Sequence, residues 1–458
     1  MKKLLSFKKS KLFWFFFITA SVVLTACSNS GFSLQSLDMN MLLFVLFGMI
    51  LAGVAFNHKQ AFYYSVIGAF IILVFKEWMS ADFHLAEHIF GENSIADQLL
   101  HKEMRQGEWP ILLNLLGLLL GFAILAKFFE DSGIPALIPN FLPGNWTGPF
   151  LLLVMVFVMS TFLDNIAAAL VGGTIALVVF KGKVHIGYIA AIVAASNAGG
   201  AGSVVGDTTT TMMWIDGVNA FNVLHAFIAS LTALIIFAWF ASHQQQKYFP
   251  LIRPEQKIKA DIKWLNVVAV LSILAGAIVA NVLYDMPALG VWVAILAAAL
   301  YTKVPWGEIK HNIKGAIFLL GLIFSASLMP VNELPSASWS TAFVLGMVSA
   351  FFDNIPLTKI CLDQGHYDWG ILAYAVGFGG SMVWFGSSAG VAITNKFHEA
   401  RDMKLWVKNA WHVALAYVVG FFVLLGVMGW RPADNNKHKI NNCPVADCPF
   451  SKDANPKE

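Results

Sequence analysis

The sequence predicts an all-α polytopic membrane protein, built as an inverted repeat of spans. Each half is expected to hold a re-entrant helical hairpin and an unwound, discontinuous helix. Three observations predict this. Of 458 residues, 58% are hydrophobic and 12% charged, about half the ~25% charged content of a soluble domain, and the mean hydropathy is +0.68. Apolar runs near the ~20 residues a spanning helix needs recur along the chain. Two further runs are each interrupted by the same Asp-Asn pair, and each is followed by the same glycine pattern. The net charge of +3 is too small to argue for nucleic acid. Cys27, Cys361, Cys443 and Cys448 form no CxxC pair and have no His cluster at zinc spacing, which argues against a structural metal site.

Residues 1–38 open with a basic segment, then the apolar run Leu12–Leu24, then Thr25-Ala26-Cys27. Two readings stand: a signal segment whose Leu24–Cys27 tetrad resembles a bacterial lipobox, with Cys27 carrying lipid, or an uncleaved first membrane helix. Residues 39–242 form the first transmembrane repeat, with spans expected at 39–56, 61–78, 110–128, 184–215 and 222–242 and a hairpin at 148–180. A basic cytoplasmic linker, 243–262, joins it to the second repeat, 263–430. There spans fall at 264–283, 287–303, 315–330, 370–393 and 406–429, with a hairpin at 339–361. A polar tail, 431–458, ends the chain. Cys443 and Cys448 in it either pair or stay as free thiols.

Charge distribution orients the chain. The positive-inside rule puts Lys181, Lys183, Lys247, Lys303, Lys310, Lys314, Lys396 and Arg401 on the cytoplasmic side. It leaves Asp216, Asp285, Asp363 and Asp368 outside, in loops without Lys or Arg. The scheme works only if both Asp-Asn stretches enter and leave on one side. The segment 79–109 then lies outside, and Glu130-Asp131 is read as a solvated inner loop.

The halves match in sequence. Ser160–Ile166 (STFLDNI) corresponds to Ser349–Ile355 (SAFFDNI), and Gly199-Gly200 with Gly206 corresponds to Gly379-Gly380 with Gly386. Glycine lets a helix unwind at low steric cost. Unwinding frees carbonyls and exposes half-helix ends bearing partial charge, the pattern of substrate sites in secondary transporters. Alternatively, such glycines only let helices pack closely.

Asp164, Asp207 and Asp353 fall in apolar surroundings, where an ionisable side chain costs at least ~2.5 kcal/mol and points to function. Asp164 and Asp353 could instead simply cap the second arm of each hairpin. Asp207 precedes the hydroxyl-rich run Thr208–Thr211; it could also cap the arm 208–215, and capping does not exclude binding. Three carboxylates, with no fixed positive charge expected within the hairpins or unwound stretches, repel anions and suit a cation. Oxygen ligands favour a hard ion such as sodium, so Asp164, Asp207 and Asp353 are its candidate ligands. Beside them Asn165, Asn197, Gly200, Thr208, Thr209, Asn354, Gly380 and Ser387 complete the candidate ion-binding and substrate-binding set. His225 and His412 are read as hydrogen-bonded packing, and Cys361 as weak evidence for soft-metal handling.

The run Ala195–Trp214 (ASNAGGAGSVVGDTTTTMMW), with 353–357 and 377–391, resembles the signature of NhaD-type sodium/proton antiporters. These belong to the ion transporter superfamily, with arsenite permeases and citrate or divalent-anion transporters. The likeness covers about 110–429. It implies a rocking or elevator-like membrane transporter of the bacterial inner membrane, not an enzyme and without a cofactor, often a homodimer. It implies export of sodium or lithium against proton entry. By motif position it places ions around Asp164, Asn165, Asn197, Asp207, Thr208, Asp353 and Asn354. Sodium-coupled citrate or dicarboxylate symport, and arsenite permeation, are the alternatives within the superfamily. This chain departs from the signature after Asn165, where Ile-Ala-Ala-Ala stands in place of hydroxyl residues, and at Gly202–Val205, in place of a bulkier proline-bearing stretch.

Overall fold

The computed structural model describes residues 39–57, 60–80, 82–251 and 259–434. Cys27 and its segment, the middle of the basic linker, Cys443 and Cys448 lie outside the described residues. The described residues form helices and turns, without a strand.

The first helices are α1 (Met39–Phe56), α2 (Ala61–Met79), α3 (Leu85–Phe90), α4 (Ile95–Leu100), α5 (Trp109–Asp131) and α6 (Ile134–Leu137). The first hairpin follows as α7 (Thr147–Ser160) and α8 (Asn165–Val179). Then come α9 (Ile186–Ala201) and α10 (Thr208–Ile215), the two pieces of the expected span 184–215, and α11 (Phe221–Leu224) and α12 (Ala226–Tyr248). The second half runs α13 (Trp264–Tyr284), α14 (Pro287–Ala298), α15 (Gly307–Ser327) and the hairpin α16 (Trp339–Ser349) and α17 (Asn354–Gln364). It ends with α18 (Trp369–Gly379), α19 (Ser388–Thr394), α20 (Met403–Asn409) and α21 (Trp411–Met428). Among the described residues six segments are long and apolar enough to cross a membrane: α2, α5, α11–α12, α13, α15 and α21. The chain is thus a polytopic helical membrane protein.

Several boundaries moved. The segment 79–109 folds into α3, α4 and a 3₁₀ turn rather than a plain loop. Buried Gln98 ties it together, donating to the carbonyls of Phe90 (2.6 Å) and Asn93 (2.9 Å) and accepting from Trp109 Nε1 (2.7 Å). Glu130 and Asp131 form the last turn of α5, paired with Lys127 at 3.0 and 3.1 Å, not a loop. The span expected at 287–303 stops at Ala298, and the one expected from 315 starts more than two turns earlier, at Gly307.

Side-chain size explains the layering. Every residue from Gly187 to Ala201 and from Trp369 to Gly379 is buried, so α9 and α18 are the innermost helices. Small residues let neighbours approach closely. A Cβ on Gly199 would strike the carbonyl oxygen of Phe157, and one on Gly379 that of Gly346. Thus each hairpin's first arm presses on the helix that unwinds after it. Apolar side chains of α13, such as Leu271, Val279 and Val282, face outward, as a lipid-facing helix requires. A separate apolar cluster joins α1, α2 and α15. The inner helices α9 and α18 both pack against α12 and α21, and the hairpin arm α17 packs on α15.

Candidate functional site

The two hairpins break in the same way. Each helix is interrupted by an aspartate in extended backbone, φ −52°, ψ 141° at Asp164 and φ −55°, ψ 138° at Asp353. Each carboxylate accepts the backbone N–H two residues on, Ile166 and Ile355, both at 3.1 Å. The capping reading of these two residues is therefore correct as far as one oxygen of each. The other oxygen takes a hydroxyl from the unwound helix of the same half, Thr208 at 3.5 Å on Asp164 and Ser388 at 3.0 Å on Asp353. Serines before the breaks match as well: Ser160 Oγ donates to the Ser196 carbonyl at 2.5 Å, and Ser349 Oγ to that of Val376 at 2.7 Å.

The unwound stretches also correspond. Asp207 (φ −144°, ψ 144°) precedes α10, and Ser387 (φ −139°, ψ 153°) precedes α19. Gly200 packs on Asp207 and Gly206, and Gly380 on Gly386 and Ser387, so the visible work of both glycines is to let the unwound chain fold back. Thr210 and Thr211 do not join the site. Their hydroxyls donate to the Ser203 (2.6 Å) and Val204 (2.9 Å) carbonyls and hold the unwound backbone in place.

Asp207 is the centre of the polar cluster and is only 2% exposed. Asn165 Nδ2 donates to its Oδ1 at 2.9 Å and to Asn197 Oδ1 at 3.1 Å. Thr209 Oγ1 donates to Asp207 Oδ2. Asn197 reaches across to the second half, donating to Ser381 Oγ at 2.9 Å. Asp164 and Asp207 line one cavity together with Ser388, whose hydroxyl donates to Asp353, which brings the three carboxylates to one region. No ion pair reaches any of them among the described residues. No group of three His, Cys, Asp or Glu suited to a metal cage occurs among the described residues. Oxygens of Asn, Thr and Ser make up the rest of this site.

A cavity of about 810 Å³ leads to it, lined at depth by Asp164, Asp207, Thr208 and Ser388 and towards its mouth by Lys127, Glu130, Glu308, His311 and Lys396. A second space of about 340 Å³ touches Asp353 and Ser388 and extends to Lys314.

The chain matches a family model described as citrate transporter over residues 65–379, well over half its length. It belongs to the citrate transporter family. Within reach of this family member are sodium/proton antiporter 1 of Arabidopsis thaliana, 25% identical over 94% of this chain and 79% of that protein. Na(+)/H(+) antiporter NhaD of Alkalimonas amylolytica is 23% identical over 61% of this chain and 68% of its own length. The Vibrio cholerae protein of the same name is 24% identical over 59% and 68%. The motif likeness to NhaD-type antiporters is thereby borne out along most of the chain.

Four features escaped the sequence reading. Ser388 and Ser381 bind polar groups of the site, and their signal was available: Ser388 stands to Gly386 as Thr208 stands to Gly206. Gly377, the counterpart of Asn197 at the same spacing, faces the site, where an added Cβ would lie 3.3 Å from Asp207 Oδ2. Lys359 corrects the expectation of hairpins without positive charge. It lies in α17, fully buried, and pairs with Glu108 at 3.0 Å and with Asp363. Of the residues set aside, His225 does hydrogen bond, to Asp368 at 2.7 Å. His412 does not fit its reading, since it is fully buried and neither ring nitrogen has a hydrogen-bond partner among the described residues. Cys361 is a buried free thiol.

Proposed function

We propose that the protein is a secondary transporter that exchanges sodium or lithium for protons across a bacterial inner membrane. The observation that carries this reading is the Asp207 carboxylate. It is buried at a helix break beneath an 810 Å³ cavity, held by Asn165 and Thr209 and, among the described residues, by no cationic side chain. A carboxylate kept from water and without a counter-charge needs either a proton or a metal ion. The two compete for the same oxygens, and competition at one alternately exposed seat produces exchange. Asp164 and Thr208 line the same cavity, Asn197 shares Asn165 with Asp207, and Asp353 is joined to that cavity through Ser388.

Arm lengths support the re-entrant reading. The hairpin arms have 14, 15, 11 and 11 residues, each short of the ~20 needed to cross. Paired with the positive-inside distribution, two hairpins opening on opposite sides make the halves an inverted repeat. The cavity mouth, with Lys127 and Lys396, then faces the cytoplasm.

Everted vesicles energised by respiration test the function. Added sodium or lithium should dissipate part of the pH gradient, and potassium should not. Absence of any response over pH 7–9, with the protein confirmed in the membrane, removes antiport. The family description favours a second reading, sodium-coupled citrate uptake. Labelled citrate accumulating in proteoliposomes only with a sodium gradient would establish it instead.

A further inference from the structure

A cavity reaches the site from one end, and a buried ion pair lies at the other. Helix α5 has 23 residues, about 35 Å at 1.5 Å per residue, enough to cross the ~30 Å hydrocarbon core. Its Lys127 and Glu130 end lines the cavity mouth. At its other end Glu108, 8% exposed, meets Lys359, which is fully buried. Lys359 belongs to α17, the hairpin arm that begins at Asn354 in the candidate site. Helix α10, which begins just after Asp207, packs against both α5 and α17 and ends at buried Asp216. The elements that carry the site therefore meet the flanking helix at one charged junction, opposite the open cavity.

A buried ion pair adds little net stability over apolar side chains of similar size, so holding the fold together does not account for it. Its useful property is different. If apolar packing closed this end, opening would forfeit all of that burial. When an ion pair separates into entering water, rehydration of the charges offsets much of the lost attraction. Closed and open forms then stay close in free energy, as a part that opens repeatedly requires.

Building on the transport reading above, we infer that Lys359, with Glu108 and Asp363, is the lock closing the pathway on the side away from the cavity, and that it parts and re-forms in each cycle. Lys359 is thus a positioning residue, not an ion ligand.

The test reads access rather than transport. In a background without native cysteines, Val205→Cys on the cavity wall is labelled with a membrane-impermeant thiol reagent, in everted and in right-side-out vesicles. Lys359→Met and Glu108→Gln should slow labelling from the cavity side by about threefold or more and speed it from the opposite side, as a population shift requires. Lys359→Arg should track the parent. Glu108→Gln still accepts a hydrogen bond from the lysine, so it decides the matter alone if Lys359→Met does not fold. Labelling unchanged on both faces in a folded neutral variant overturns the lock. Because the readout contains no sodium, a failure of the antiport reading leaves this result interpretable, and the converse holds.

Discussion

The two broken elements share a backbone and differ in chemistry. In both halves an aspartate of nearly identical dihedral angles ends a hairpin turn, a serine before it grips the neighbouring helix, and a hydroxyl from the unwound stretch reaches its second oxygen. Yet where the first half has Asn197 and Asp207, the second has Gly377 and Ser387. Asn165 consequently has two partners, while its counterpart Asn354, 2% exposed, has a side-chain Nδ2 with none among the described residues. The difference teaches that the fold requires the breaks twice, whereas a carboxylate stands at the unwound stretch in one half only. A second carboxylate at position 387 would crowd a third like charge beside Asp353 and Asp207. Gly377 instead leaves space beside Asp207 Oδ2.

Exchanging equivalent residues can break this asymmetry. The largest effect is expected at the seat. Asp207→Asn should reduce cation-dependent proton flux by at least about a hundredfold, equal to ~2.7 kcal/mol, with the protein still inserted and monodisperse. Ser387→Ala should change flux by less than about threefold, and equal losses at both positions would mean that the halves work alike. Next comes Gly377→Asn, which supplies the second half with its missing amide but presses on Asp207. It should raise the sodium concentration for half-maximal flux about tenfold, a cost of ~1.4 kcal/mol.

Stability separates the paired asparagines. Asn165→Ala strands Asp207 Oδ1 and Asn197 Oδ1, at a cost of about 1–3 kcal/mol, whereas Asn354→Ala removes a donor that has no partner and should cost far less. Thermal melts in detergent should show Asn165→Ala several degrees below Asn354→Ala. The smallest difference concerns the hydroxyls. Ser388→Ala loses a 3.0 Å bond to Asp353 and Thr208→Ala a 3.5 Å one to Asp164. The serine should therefore matter more, by up to about 1 kcal/mol, measured by the same melts. A larger loss at Thr208 would mean that its oxygen serves the ion rather than Asp164.

Much of the framework was legible in the chain. The apolar runs gave the helices, because a lipid-facing helix must be apolar along its whole length. The Asp-Asn pairs and spaced glycines marked where helices stop, because those are the residues that tolerate such backbone. Asp207 stood out by its setting among glycines and threonines. Less legible were contacts made between distant segments. Asn197 with Ser381 spans 184 positions, and no local pattern announces it. Lys359 was legible, since it lies inside the expected hairpin 339–361, and the expectation of hairpins without positive charge was wrong there; only its partner Glu108, 251 positions away, had no local signal. The threonine run misled in part, since whether a hydroxyl faces an ion or a carbonyl depends on how the unwound chain turns.

The sequence by itself determined the membrane-spanning class, the number and place of the helix breaks and the identity of the carboxylates, because those follow from transfer free energy and backbone sterics acting on neighbouring residues. Only the tertiary structure decided that Asn165 and Thr209 close on Asp207, that Lys127 and Asp207 line one cavity, and that Lys359 meets Glu108 at the other end of α5. These depend on which side chains from separate helices share the same few ångströms, a matter of packing that no single segment encodes.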